Sequence, residues 1–128
     1  MSDPKISVVT VCYNSFDMLK ETMQNVDKQT YDNFEYIVVD GNSSDGTVDY
    51  LKNYNGKLTK YISEPDKGIY DAMNQGYALS TGDIIVFFND RKKLPLSKNN
   101  SFSESNKKGN NKNENRKNKF FILFSFKY

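Results

Sequence analysis

The chain has no histidine and a single cysteine in 128 residues. Without an imidazole there is no His-based general acid–base chemistry, no Ser-His-Asp triad and no supply of the commonest zinc ligand. Cys12 alone can form neither an intramolecular disulfide nor a multi-cysteine metal site. No apolar run approaches the roughly 20 residues needed to cross a bilayer. The start, Met1-Ser2-Asp3-Pro4, has no basic segment followed by an apolar one, so no secretion signal is expected and the reducing cytoplasm is the default setting.

Charge is divided unevenly. Residues 1–90 hold seven Lys+Arg against 14 Asp+Glu, a net of −7, whereas residues 91–128 hold 11 against two, a net of +9. With 37% hydrophobic residues and a mean hydropathy of −0.75, the chain is wetter than an ordinary domain. These numbers describe an acidic folded body, residues 1–90, joined to a basic tail, residues 91–128.

Within the body, Ile6–Tyr13 is β-branched and almost continuously apolar, as a strand buried on both faces of a parallel sheet must be. Asn14 and Ser15 offer a helix N-cap, and Leu19, Met23 and Val26 form one apolar stripe on a helix ending near Lys28. Phe34–Asp40 reads as a second strand. Asp45 then caps a helix in which Val48, Leu51 and Tyr54 share a face. A short strand over Lys60–Ser63, a helix from Ile69 to Ser80 and a strand over Ile84–Phe88 complete a β-α-β-α-β-α-β order. That alternation predicts an open, mostly parallel, Rossmann-like α/β sheet, in which ligands bind beyond the carboxyl ends of the strands. The three best strands end at Tyr13-Asn14, Asp40-Gly41 and Asn89-Asp90, all polar.

Two loops carry chemistry. Gly41 and Gly46 have the glycine spacing of a phosphate-binding loop, but Thr47 stands where its lysine belongs, and the dinucleotide fingerprint is absent. Asp40 at a strand end suits a ribose hydroxyl or a base N–H, although it could equally just end the strand. In Ser63–Gly76, a Glu, two Asp, a Lys and an Asn fall close together, Pro65 keeps Glu64 extended, and Gly68 permits a tight turn into a helix.

Together these stretches resemble the N-terminal half of a family 2 glycosyltransferase of the GT-A fold. Ile6–Asn14 matches its first strand, Val38–Thr47 its Asp-Gly-x-Ser-x-Asp-Gly-Thr turn, and Ser63–Gly76 the Glu-Pro-Asp-Lys-Gly-Ile-Tyr-Asp-Ala-Met-Asn-x-Gly block of one bacterial branch. Thr81-Gly82-Asp83 leads into the strand before the family's metal motif, so the resemblance covers roughly residues 4–90. It implies transfer of a sugar from a nucleotide-sugar donor (UDP- or another NDP-sugar) to a saccharide or lipid-linked acceptor. The setting it implies is surface polysaccharide synthesis, cytoplasmic or peripheral to the inner membrane face. By the same resemblance Tyr13, with Asn14, closes the strand and stacks on the base, while Asp40 bonds the base or ribose. Asp66 would line the donor pocket, with Asn74 facing it; Lys67, Gly68 and Tyr70 are further candidates.

The resemblance also implies a divalent metal, Mg²⁺ or Mn²⁺, on an acidic pair after the last strand. Here the chain reads Asn89-Asp90-Arg91-Lys92-Lys93, so Asp90 is the one candidate ligand, followed by three cations. That is a poor set for a hard ion wanting several oxygen ligands. The acceptor half and a catalytic base have no counterpart, and no catalytic residue is assigned. The expectation is therefore a donor-binding half without full activity, with a non-catalytic binding module and a fragment without function as the alternatives.

Residues 91–119 are dominated by Lys, Asn and Ser without apolar periodicity, and disorder is expected for the tail. The abrupt change near Asp90 is what an out-of-frame or foreign sequence would produce. The closing run Phe120–Phe126, if exposed, is an aggregation hazard. The tail's charge would hold phosphate without sequence preference, and with only Phe102 inside the basic run no specific nucleic-acid partner is expected.

Overall fold

Ile6–Cys12 forms the central strand, β1, because its side chains meet apolar cover on both faces. A computed structural model of the chain describes residues 3–91 and 120–125. In chain order, β1 is followed by α1 (Phe16–Asp27), β2 (Phe34–Asp40), α2 (Thr47–Lys52), β3 (Lys60–Ser63), α3 (Ile69–Leu79), β4 (Ile84–Asp90) and β5 (Phe120–Ser125). The strands make one parallel sheet in the order β3-β2-β1-β4-β5.

Strand alternation splits the core into two layers. Val9, Val11, Ile37, Val39, Ile85 and Phe87 lie under Ile69, Ala72, Met73 and Tyr77 of α3. Cys12, Tyr36 and Val38 lie under Leu19, Met23 and Val26 of α1 and Leu51 of α2. Each fully buried aliphatic side chain contributes about 1.5–3 kcal/mol. Gly76 lets α3 sit directly on β1, since a Cβ there would lie 2.5 Å from Val9 Cγ1. On the α1 side, Val86 and Phe88 of β4 line an apolar hollow of 350 Å³ with Ile6, Val8 and Val26. Thr22, Asn25 and Val26 of α1 form its other wall.

Several local expectations are corrected. Ser15 stands at the N-cap of α1, but no side-chain cap forms there; its hydroxyl donates instead to the Asp90 carbonyl. The Phe16 N–H of the first turn is taken by Asp45 Oδ2 at 3.0 Å. Helix α2 ends at Lys52, so Tyr54 lies outside it, and its buried residues are Thr47 and Leu51 rather than a Val48-Leu51-Tyr54 face. Gly46, at φ 97°, is its N-cap, with Asp45 one residue earlier accepting the Thr47 N–H and hydroxyl. Arg91 is half-buried against the body rather than the first residue of a tail. Within the supposed tail, residues 120–125 form β5, whose backbone pairs with β4 from Ile84↔Phe120 to Asn89↔Ser125. The outer edge of β4 is thus paired, not open. The expectation of disorder for 92–119 and 126–128 lies outside the described residues.

The amino ends of the strands are pinned by Glu35, only 5% exposed. Its Oε2 accepts the Ser7 hydroxyl and the Thr81 N–H, each at 2.6 Å, with Lys5 and Lys60 at 3.7 and 3.8 Å from Oε1. Burial alone would raise this carboxyl, but those hydrogen bonds and Lys5 outweigh it and hold it below 4.5.

Cys12 is 1% exposed, and burial next to Asp40 pushes its thiol well above its ordinary 9.0. The folded protein should therefore resist iodoacetamide at pH 8 and react fully in denaturant. Mass spectrometry of the alkylated chain checks this, and rapid native labelling would contradict the core position.

Candidate functional site

The chain runs β1, β2, β3 in one direction across the sheet and then returns past β1 to lay down β4. The carboxyl ends of β1 and β4 therefore flank a topological switch point, where open α/β sheets form their ligand crevice. A cleft of 410 Å³ opens there, lined by Tyr13, Gly41, Asn42, Pro65, Asp66, Gly68 and Arg91.

Gly41 is the floor. Its N–H donates to the Cys12 carbonyl at 3.0 Å, which draws the β2 end against β1. A Cβ at this position would come within 2.7 Å of Arg91 Nη2, 2.9 Å of Asp66 Oδ2 and 3.3 Å of Tyr13 Cδ1. Residues from three loops thus meet over one glycine. Tyr13 is 47% exposed, the one large hydrophobic residue so exposed among the described residues.

Asp40 sits beneath this floor and is fully buried. Its Oδ2 accepts the Ser43 N–H at 2.9 Å and the Ser63 hydroxyl at 2.7 Å; Oδ1 accepts the Ser43 hydroxyl and, at 3.4 Å, the Cys12 thiol. The side chain ties the ends of β1, β2 and β3 together and turns inward rather than into the cleft. Asn14, at φ 48°, tolerates the left-handed backbone and staples two loops: its N–H donates to Ser43 Oγ and its Oδ1 accepts the Ser44 N–H, both at 2.8 Å.

Asp66, 5% exposed at its side chain, holds Arg91 through two parallel hydrogen bonds, Nη1 to Oδ1 at 3.2 Å and Nη2 to Oδ2. Oδ1 also accepts the Gly68 N–H at 3.0 Å, which shapes the turn at Gly68 (φ 124°) into α3. The Arg91 guanidinium lies 5.7 Å from the Tyr13 ring centroid. Lys67 is exposed, with its backbone N–H on Asp71 Oδ2. Tyr70 is half-buried against the α3 side of the core. Asn74 is half-buried on α3, its Oδ1 buried without a partner, and does not line the cleft.

Asp90 is fully buried and neither carboxylate oxygen has a hydrogen-bond partner. Burial pushes this carboxyl up to about 7; the nearby Thr22 hydroxyl, which completes no hydrogen bond to it, opposes the rise and the charge of Glu21 adds to it. As a donor set for a hard divalent ion these residues do not fit. Asp40 is spent on serines, Asp66 on Arg91, and Asp90 is sealed from the cleft. Among the described residues no three His, Cys, Asp or Glu side chains cluster as a metal would require.

Arg91, Ser43 and Ser63 were not singled out from the sequence. Ser63 lies beside Asp40 because β2 and β3 pair the two, a register that spacing along the chain does not reveal, whereas Ser43 reaches Asp40 locally from three residues further on.

The Glycosyl transferase family 2 profile matches residues 7–90. The chain belongs to this family. An uncharacterised glycosyltransferase of Mycobacterium tuberculosis is 44% identical over 87 residues, covering 67% of this chain and 33% of that protein. A PGL/p-HBAD biosynthesis glycosyltransferase of Mycobacterium bovis is 32% identical over 90 residues, 68% of this chain and 35% of the relative. The chain thus spans about a third of the length of these curated relatives. In fold it is similar to the mannosyltransferase PcManGT of Pyrobaculum calidifontis, solved with GDP-Man and Mn²⁺. That match has a TM-score of 0.63 at 24% identity, over 74% of this chain and 30% of the other. Staphylococcus aureus TarS gives 0.58 at 25% identity, over 67% and 16%. The family 2 match ends at Asp90, the last residue of β4. Among the described residues no helix is long and apolar enough to cross a membrane.

Proposed function

We propose that residues 3–91 are the donor-binding half of a family 2 glycosyltransferase and bind the nucleotide of a nucleotide-sugar. In the complete reaction the sugar would pass to a saccharide or lipid-linked acceptor at the cytoplasmic face of the membrane. The observation that carries this reading is the meeting of Tyr13, Gly41 and Asp66 over one cleft at the switch point of the sheet. The exposed Tyr13 ring offers a stacking face for a base, and the bare backbone of Gly41 allows a ligand to approach closely. Asp66 holds the Arg91 guanidinium at the wall of the cleft. Asp40 and Asn14 act as positioning residues: they fix the loops and leave contact to their neighbours. No catalytic role is assigned to any described residue, and the function proposed is donor binding.

Titration of the chain with UDP, GDP and their glucose and mannose derivatives, followed by thermal shift and calorimetry, tests this. A nucleotide that binds the fold raises its melting temperature in proportion to ligand excess. Tyr13→Ala should weaken the binding nucleotide about 5- to 100-fold, the worth of one base–aromatic stack, with little change in melting temperature because the ring is largely exposed. Absence of a shift with every nucleotide would overturn the reading.

A further inference from the structure

We infer that Arg91 is the positive counter-charge for the donor's diphosphate, so that this cleft binds nucleoside diphosphates without a divalent metal. The inference rests on the donor-binding reading above and specifies how that site meets its ligand's charge. A diphosphate entering a cleft must find cations, and a metal is badly served here. Asp90 is sealed, Asp40 and Asp66 are already paired, and no acidic cluster that could hold a metal forms among the described residues.

A fixed cation is already in place. The Arg91 side chain is 12% exposed, lines the cleft, and has its plane set by the two-pronged bond to Asp66 and by the Tyr13 ring. Of its five N–H donors, Asp66 engages two, and Nε is buried with no partner. The two terminal N–H groups that Asp66 leaves over are the ones a ligand's acceptors can meet. Phosphate oxygens are the acceptors that a planar guanidinium fits best. The ion pair also cancels the charge of Asp66, which would otherwise repel a phosphate. The side chain reaches this position because Asn89 Oδ1 accepts the Arg91 N–H at 3.0 Å, turning the chain back over the strand end.

Isothermal titration of the whole chain with UDP, GDP, uridine and guanosine, in EDTA and in Mn²⁺, decides the matter. The expected result is that UDP or GDP binds in EDTA with an affinity within about threefold of that in Mn²⁺. Arg91→Ala should then lose about 10- to 100-fold of diphosphate affinity, the worth of charge-assisted hydrogen bonds, while the matching nucleoside changes less than about threefold. Arg91→Lys, which keeps the charge but not the fork, should fall between. Arg91→Gln, which keeps much of the side chain's length without its charge, should lose about as much diphosphate affinity as Arg91→Ala and keeps the test open if Arg91→Ala misfolds. Binding of UDP or GDP only with Mn²⁺ would overturn the inference and leave the donor-binding reading standing. Tighter binding by Arg91→Ala would overturn it too, making the side chain an obstruction. If neither nucleotides nor nucleosides bind under either condition, the donor-binding reading itself fails, and this inference with it.

Discussion

Asp90→Asn is expected to raise the melting temperature by about 10 °C or more at pH 8 and to change it little at pH 4. The folded chain keeps Asp90 protonated up to about pH 7, whereas the unfolded chain releases that proton near 3.8. Between those values the folded state binds the extra proton, so stability is full at the acid end and is lost as pH rises through 7. A shift of this size corresponds to about 2–4 kcal/mol at high pH, and each kcal/mol moves the melting temperature of a small domain by about 4–8 °C. Asparagine fills the same space without a charge to desolvate, so the variant should lack the fall in stability that Asp90 causes across that window. Glu35 acts in the opposite sense. Its carboxyl is held below 4.5, so its contribution is present at neutral pH and lost as pH falls through its depressed value. Circular dichroism melts of the two proteins from pH 4 to pH 8 check the prediction; parallel curves would contradict it.

Asp40→Ala is expected to cost about 2–4 kcal/mol, the penalty for leaving buried and half-buried donors without their acceptor. It would leave the Ser43 N–H, both serine hydroxyls and the Cys12 thiol facing an apolar void at the junction of three strands. Asp40→Asn keeps the shape and part of the hydrogen bonding, and should cost about 1–2 kcal/mol. Urea unfolding, read as the shift in midpoint at constant slope, measures both. Equal and small losses for the two variants would mean that the carboxylate does not hold the loops.

The strands were legible in the sequence because a parallel strand covered on both faces must be apolar at nearly every position, as Ile6–Cys12 and Ile84–Phe88 are. Helix α1 was legible from Leu19, Met23 and Val26. Helix α2 was less so, because a six-residue helix holds too little of the 3.6 period to separate a buried Thr47 from a half-buried Val48. Tyr13 and Asp66 stood out as strand-end and loop residues, but the direction in which Asp40 points depends on the β2–β3 register. Arg91 looked like the first charge of a polar tail. Its place against Asp66 emerges only when the fold brings the end of β4 beside the loop after β3. Strand β5 was hidden for a related reason: an apolar run that follows a long polar stretch does not announce its pairing partner.

Strand β5 follows β4 after 29 residues of chain and is an edge strand paired with β4 alone. Because both strands belong to one chain, their pairing is intramolecular, with an effective concentration on the order of millimolar. Below that range each molecule completes its own sheet. Above it, the closing strand of one copy competes for the edge of the next, and reciprocal exchange would produce swapped pairs whose sheets are indistinguishable from the monomer's.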